Sequence, residues 1–433
     1  MKSFLKGLVV SVITYEAKLI LKRTKPTIVA ITGSVGKTTT KDAIYQAISK
    51  KIHARKSEKS YNTELGVPLT VLGLSNAGQS FFHWLKNILD GFFLVLFPGD
   101  YPKVLVLEMG VDHPGDMKRL TSWIKPDMVV LTRLPDVPVH VEFFSSPQEV
   151  IEEKLELVHA LKSNGVLIYN QDDEKVRDAA ELVRQQSIGY SRYSQSQFTV
   201  SGDEIVYEGD QPVGMTFKIS HIHDRVEFSV NGVIGVQHCY NFGAATAVAA
   251  QFDIGLEEAA NALKDFRPTP GRMRIIKGLK DTIILDDTYN SSPTAAERAL
   301  SNLFEVKASG RKIAVLGDML ELGGYSAREH EKVGEQAADG VDLLITVGVR
   351  ARGIAEGALE HGLAEEKIIQ YDEAIRAGRE LQYLIEPGDV ILIKGSQGMR
   401  MEKIVLDIMA EPRKAEKLLV RQSIEWQAPA KIS

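Results

Sequence analysis

Eight consecutive residues carry the clearest chemistry in the chain: Thr32-Gly33-Ser34-Val35-Gly36-Lys37-Thr38-Thr39. Gly33 and Gly36 let backbone N–H groups turn toward an anion, and a helix start after them adds its positive dipole end. In such a loop Lys37 reaches the β- and γ-phosphates of a nucleotide and the Thr38 hydroxyl takes a Mg²⁺ ion. The flanks suit this reading. Residues 27 to 32 are a short β-branched run, and a helical pattern runs from the loop to about Lys50. The loop is a variant, with two residues between its glycines where the usual spacing has four, and Ile31 one position before it.

Further candidates lie downstream. Glu108 ends the apolar run Val104-Leu-Val-Leu-Glu, and a carboxylate at a strand end beside a phosphate loop is where a second Mg²⁺ ligand belongs. The competing reading is a solvated strand-end glutamate. His140 and Lys154 have dull readings when taken alone, as a loop histidine and a solvated helix lysine beside Glu152 and Glu153. Arg272 and Met273 follow the stretch Arg267-Pro-Thr-Pro-Gly271, the clearest linker in the chain. A guanidinium there could pair with a nucleotide phosphate or simply form a structural salt bridge. Asp286, Asp287 and Asn290 follow the next strand-like run.

These residues need strands and helices to hold them. Buried-strand patterns recur at Lys103–Leu107, Met128–Thr132 and Gly165–Tyr169, with helical patterns between, which predicts a parallel sheet covered on both faces. Short alternating stretches at 197–200, 204–208, 213–219 and 225–230 read as an antiparallel meander. Helices are expected from about Asn241 to Phe252 and from about Leu256 to Leu263. After the linker, strands near 282–286, 312–316, 342–347 and 389–393 alternate with helices again. The expected fold is therefore α/β: a central phosphate-loop ATPase domain at 26–270, with a parallel sheet plus the meander, then a Rossmann-like α/β domain at 271–433.

Composition bounds the function. The 433 residues are 44% hydrophobic and 25% charged, the balance of a soluble globular protein. The net charge of −5 argues against general nucleic-acid binding. The single cysteine, Cys239, excludes an intrachain disulfide and a cysteine-built metal site, and suits the cytoplasm. No Asn-Lys-x-Asp guanine motif occurs, which disfavours a regulatory GTPase.

Two segments stand apart. Residues 1–25 carry Lys2, Lys6, Lys18, Lys22, Arg23 and Lys25 against Glu16 alone, and their longest uncharged stretch, Gly7–Tyr15, is too short to span a bilayer. They read as a basic amphipathic arm, or else as a helix packed on the domain surface. Phe81–Phe97 has 12 apolar residues in 17 and five of the 15 phenylalanines of the chain. It reads as an apolar insertion over about 76–100, either an interfacial helix or one buried against the core.

Taken together the motifs resemble the Mur ligases, ATP-dependent amide ligases of peptidoglycan precursor synthesis. Among them the chain is most similar to the branch that adds D-alanyl-D-alanine to a UDP-muramoyl-tripeptide. The blocks are Thr-Gly-Ser-Val-Gly-Lys-Thr-Thr (32–39), Tyr-Asn-Thr-Glu-Leu-Gly-Val-Pro-Leu-Thr (61–70), Leu-Glu-Met-Gly (107–110), His-Val-Glu-Phe-Phe (140–144), Lys154, Asn-Gln-Asp-Asp (170–173), Pro-Gly-Arg-Met (270–273), Asp-Asp-Thr-Tyr-Asn-Ser-Ser-Pro (286–293), Leu-Gly-Asp-Met-Leu-Glu-Leu-Gly (316–323) and Lys-Gly-Ser-Gln-Gly-Met-Arg (394–400), in family order over about 26–410.

The resemblance implies roles. Gly33 to Thr39, with Ser34 and Val35, would hold ATP, and Lys37 its β/γ-phosphates. Thr38 and Glu108 would bind one Mg²⁺ and His140 a second. Lys154 falls where the family has a carbamylated lysine that helps hold that second metal. Asn241, Arg272, Asp287 and Asn290 would contact the nucleotide, and Asn62, Thr63, Asp318 and Lys394 the substrates. The expected partners are UDP-muramoyl-peptide and D-alanyl-D-alanine, with no nucleic acid. The chain departs from the family where the UDP-binding domain usually stands, since the phosphate loop begins at residue 33. Smaller departures are Arg133, Gln237-His238 and Gln397. The two apolar segments coincide with the two larger departures, so we expect residues 1–25 and 81–97 to pack together and face a membrane or a partner, in a cytoplasmic protein that the membrane alternative would place at the inner membrane face. The competing readings are a ligase of the same superfamily with another carboxylate substrate, of folyl-polyglutamate or cyanophycin type, and a non-catalytic ATP-binding scaffold.

Overall fold

The computed structural model describes residues 3–58, 61–78, 80–423 and 426, with side chains from Gly7 onward. Lys2, the Lys6 side chain and residues 427–433 of the expected last domain lie outside the described residues.

The chain divides into two compact units. The first comprises Met1–Ser201, Lys218–Phe228 and Gln237–Phe266; the second comprises Gly202–Phe217, Ser229–Val236 and Arg267–Ser433. The strands of the first sheet are β1 (Thr27–Thr32), β2 (Ala54–Lys56), β3 (Val104–Glu108), β4 (Met128–Leu131), β5 (Val166–Asn170), β6 (Gln186–Ser191), β7 (Phe198–Glu208), β8 (Gln211–His221) and β9 (Asp224–Asn231). They lie in the order β2-β3-β1-β4-β5-β6-β7-β8-β9. Strands β1 to β7 pair in parallel. Thr-Ile-Val-Ala-Ile-Thr of β1 is central and almost wholly buried, as a strand covered on both faces must be. The stretches at 197–200 and 204–208 form one strand, β7. Two-residue turns join it to β8 and β8 to β9, a link that only antiparallel neighbours allow.

The helices of this unit are α1 (Ser3–Thr24), α2 (Lys37–Ser49), α3 (Gly66–Leu72), α4 (Phe81–Leu96), α5 (Asp116–Thr121), α6 (Pro147–His159), α7 (Glu174–Glu181), α8 (Gln237–Ala250) and α9 (Leu256–Leu263). The start of α6 is fixed by Ser146, whose hydroxyl accepts the Glu149 N–H, and by Pro147, whose missing N–H costs nothing at a first helical position.

The segment read as an arm is a packed helix. Ile13, Ala17 and Ile20 of α1 are fully buried and belong to the same core as β1 and β3. Helix α4 packs against it. Arg23 donates to the Val95 and Leu96 carbonyls at 2.6 and 3.0 Å, and Gly91 leaves room that a side chain would take from the Glu16 carboxylate. The two apolar segments pack together, with Glu16 and Arg23 of α1 against Gly91, Val95 and Leu96 of α4.

The second unit holds β10 (Arg274–Lys277), β11 (Ile283–Asp287), β12 (Lys312–Gly317), β13 (Leu343–Val347), β14 (Ile368–Tyr371) and β15 (Val390–Lys394) in the order β10-β11-β15-β12-β13-β14. All its pairings are parallel except β10 with β11. Gly202–Phe217 and Ser229–Val236 pack with this unit: Ile275 donates to Gly232 O at 2.9 Å, and Lys307 N to the Tyr207 hydroxyl at 3.0 Å.

Candidate active site

The phosphate loop leaves β1 at its carboxyl end and enters α2. Gly33 and Gly36 both have positive φ, 131° and 87°. A Cβ on Gly33 would collide with Thr132 Oγ1 and the Arg133 backbone, so this position admits glycine alone. Ser34 N donates to Arg133 O at 2.8 Å, which pins the loop to the strand next door. Lys37 Nζ folds back on Gly33 O at 2.9 Å. The Asn241 side chain accepts from Thr40 Oγ1 at 2.9 Å and stands against Gly36, so α8 supports the start of α2.

Glu108 sits beside the loop because β3 pairs with β1 and brings it next to Ile31. It is 2% exposed. Its Oε1 accepts from Thr38 Oγ1 at 3.2 Å and from Asn62 Nδ2 at 3.3 Å, while Oε2 lies 3.7 Å from Lys41 Nζ and makes no hydrogen bond among the described residues. Burying a carboxylate this poorly satisfied is costly unless something completes it. Sequence reading missed Lys41, one helical turn after Lys37. The hydroxyl of Thr63, expected at the substrate, accepts the Gly66 N–H at 3.4 Å, at the start of α3.

Lys154 projects from α6 and is 3% exposed. It forms no ion pair among the described residues. Burial pushes its ammonium down to about 7, and the like charge of Lys37 pushes the same way against Asp112 and Glu153. His140 has φ 73°, a left-handed backbone uncommon for a non-glycine residue, and its Nε2 lies 3.5 Å from Asp112 Oδ1. Asp112 is the residue that sequence reading overlooked: it faces both His140 and Lys154. The structure thus joins Lys37, Thr38, Glu108 and Asn62 on one side and His140, Asp112 and Lys154 on the other, with Lys37 and Lys154 close enough to repel.

In the second unit Lys394 is 2% exposed and bonds Asp287 Oδ2 at 2.6 Å and Asn290 O at 2.9 Å. Asp287 Oδ1 accepts from Met273 N at 3.1 Å and Asn290 Oδ1 from Gln397 N at 3.3 Å. Sequence reading gave Lys394 to the substrates and Asp287 and Asn290 to the nucleotide; the structure brings the three together, because β11 and β15 are neighbours with Asp287 opposite Lys394. Arg272 stacks on the Tyr289 ring at 3.9 Å. Asp318, at the end of β12, accepts the Ala351 N–H at 2.7 Å.

No group of three or more His, Cys, Asp or Glu side chains able to hold a metal occurs among the described residues. The Thr38 and Glu108 oxygens nevertheless fit Mg²⁺, which keeps several waters and is commonly held by one or two protein oxygens together with substrate phosphates.

The family model of the Mur ligase middle domain matches residues 31–83 and 92–249, and that of the Mur ligase glutamate ligase domain matches residues 271–397. The gap between the first two stretches falls within α4. The UDP-N-acetylmuramoyl-tripeptide–D-alanyl-D-alanine ligase of Bacillus subtilis is 30% identical over 405 residues, 92% of this chain and 79% of that protein. That of Escherichia coli is 27% identical, over 87% of this chain and 76% of that protein. The MurF ligase of Thermotoga maritima, solved with ADP, superposes with a TM-score of 0.74 at 25% identity, covering 94% of this chain and 84% of that one. Folylpolyglutamate synthase of Mycobacterium tuberculosis shares the fold, with a TM-score of 0.65 at 14% identity over 93% of this chain and 97% of that one.

Proposed function

The chain belongs to the Mur ligase family, and on that premise we propose that it is an ATP-dependent amide ligase adding D-alanyl-D-alanine to a UDP-muramoyl-tripeptide in peptidoglycan precursor synthesis. The observation that carries this reading is the cluster of Lys37, Thr38, Glu108 and Lys154: a half-buried and a buried cation that repel each other, and a buried carboxylate with one oxygen unbonded among the described residues, at the mouth of a phosphate loop. A triphosphate would relieve both faults. The 27–30% identity to the two curated ligases supports the substrate assignment.

The substrate carboxylate oxygen attacks the γ-phosphorus, the bond to the β-phosphate oxygen breaks, and ADP leaves an acyl phosphate. The amine nitrogen of the dipeptide then attacks the acyl carbon, the carbon–oxygen bond breaks, and inorganic phosphate departs as the nitrogen loses a proton. The loop N–H groups of Gly33 to Thr39 bind the phosphates. Lys37 swings from Gly33 O to the β/γ oxygens and follows the charge as it moves. Thr38 and Glu108 would hold a Mg²⁺ ion and His140, with a modified Lys154, a second; bound Mg²⁺ supplies charge neutralisation for the triphosphate. Asn241 braces the loop. Arg272 and Asn290 contact the nucleotide, Lys394 positions Asp287 and Asn290, and Asp318 and Asn62 serve the substrates.

Lys154 is suited to carbamylation. At a pKa of about 7 much of its amine is neutral near physiological pH. The nitrogen adds to the carbon of CO₂ and releases one proton, so a cation repelled by Lys37 becomes a carboxylate attracted to it. The test of the whole reading is phosphate release with ATP, Mg²⁺ and bicarbonate, with and without UDP-muramoyl-tripeptide and D-alanyl-D-alanine. The expected product weighs the two substrates less one water and forms about a thousandfold more slowly in Lys37→Ala. ATP binding without product would instead favour the scaffold.

A second observation locates this chemistry. Phe81, Phe82, Leu85, Leu89, Phe92 and Phe93 of α4 are each between 45% and 81% exposed. At about 100° per residue they share an arc of about 120°, facing away from the buried Trp84, Asn87 and Gly91. No helix among the described residues is long and apolar enough to cross a membrane. We assign this face to a bilayer surface at the cytoplasmic side. The argument is charge: Lys22, Arg23 and Lys25 of the adjoining segment suit anionic headgroups, and Glu16, its one acid, is turned inward. Sedimentation with anionic vesicles should carry the protein down and Phe82→Glu/Phe93→Glu should release it. Self-association without lipid would show a second copy on this face instead.

A further inference from the structure

The reaction needs only the far carboxylate of its donor, so something must hold the rest of that molecule. A cavity of about 410 Å³ opens between α1 and the end of α5. Helix α1 contributes Ser11, Thr14, Tyr15 and Lys18, the other side Arg119 and Trp123, and Glu64 also lines it. Arg119 is already engaged by Glu64 and Asp116. Lys18 is exposed and makes no ion pair among the described residues. The lining is net positive, rich in hydroxyls, and carries two aromatic rings. That combination suits a ligand with anionic oxygens, a hydroxylated ring and one flat apolar face.

Both walls of the cavity are tied to the reacting centre. Glu64 lies two residues after Asn62, whose amide bonds Glu108. The first turn of α5 is held by Glu153, which accepts the Gly115 and Met117 N–H groups at 2.9 and 2.7 Å and precedes Lys154 in α6. A ligand seated there is therefore registered against both halves of the active site. The opposite edge of α1 packs on α4, the helix with the exposed apolar face.

We propose that this cavity binds the glycosyl diphosphate end of the carboxylate donor, a proposal that rests on the ligase reading. The diphosphate meets Lys18 and Arg119, and the sugar lies against Trp123 and Tyr15. Two sources share this chemistry: a nucleotide-linked sugar free in solution, or the same sugar linked through diphosphate to a polyprenyl lipid in the bilayer under α4.

The test is calorimetry on the full chain with two probes, UDP-N-acetylmuramic acid and the same sugar diphosphate on a short polyprenol in micelles. At least one should bind, about tenfold more weakly in Lys18→Glu and not at all in Ser122→Trp, which fills the cavity, while both variants bind ATP as the parent does. The tighter probe names the source. Binding of neither probe, or affinities unmoved by both substitutions, overturns the proposal. Turnover is scored separately. A probe that binds and is lost in the variants, with no ligation of any donor, upholds the cavity and sinks the ligase reading. Ligation with an unaltered donor KM in both variants does the reverse.

Discussion

Two lysines are almost equally buried in this molecule, Lys154 in the first unit and Lys394 in the second, at 3% and 2% exposure. Their surroundings are opposite. Lys394 is paired with Asp287 and capped by Asn290 O, so its charge is answered within the protein. Lys154 has no ion pair among the described residues, and its burial first, then the nearby charge of Lys37, loosens its proton. A satisfied buried charge organises its neighbours. An unsatisfied one marks where a ligand or a modification completes the structure.

That contrast can be broken by substitution. The largest expected effect is in Lys37→Ala, where loss of the phosphate contact should lower ligation about a thousandfold, with unchanged thermal stability. Next is Lys394→Ala. It strands Asp287 and should cost about 3 kcal/mol in denaturant unfolding. Lys154→Met should do the reverse of Lys394→Ala, gaining about 1 kcal/mol in the same measurement while ligation is lost, because it removes a buried amine that forms no ion pair among the described residues. Should Lys154→Met destabilise as Lys394→Ala does, the contrast between the two lysines is wrong. Omitting bicarbonate from CO₂-stripped buffer should slow the parent, and no added carboxylic acid should restore Lys394→Ala.

A smaller effect sharpens the comparison at Glu16, the buried acid between α1 and α4. Burial raises its carboxyl to about 7, and Oε2 makes no hydrogen bond among the described residues. A carboxyl whose pKa is higher folded than unfolded binds its proton more tightly in the native state. Its contribution is therefore full below about pH 4.5, falls as the pH rises toward 7, and is lost above that. Glu16→Gln should match the parent at pH 4.5 and exceed it by about 1 to 3 kcal/mol at pH 8. Equal stability at both values would mean that Glu16 is solvated or paired.

Much of this was legible in the residues. The phosphate loop and Glu108 could be read because a strand, a glycine turn and a helix are local events, and β3 repeats the apolar pattern of β1. Strands β2, β6, β10 and β14 could not, since charged and polar residues such as Arg55, Lys56, Gln186, Arg274, Lys277 and Gln370 break the apolar run that marked β1, β3 and β4. Asp112 and Lys41 acquire meaning only through the partners that folding brings to them. The pairing of Lys394 with Asp287 spans 107 residues and follows from strand order alone. Helix α4 was ambiguous for another reason: its composition suits burial, and only the structure shows that the phenylalanine face stays outside while Trp84 turns in.

The central claim is that the donor carboxylate is activated by phosphorylation at the Lys37 loop. Its most direct test is to label both carboxylate oxygens of UDP-muramoyl-tripeptide with heavy oxygen and run one turnover with ATP and D-alanyl-D-alanine. The account predicts one heavy oxygen in the released inorganic phosphate and one in the new amide. Phosphate released without label would contradict it.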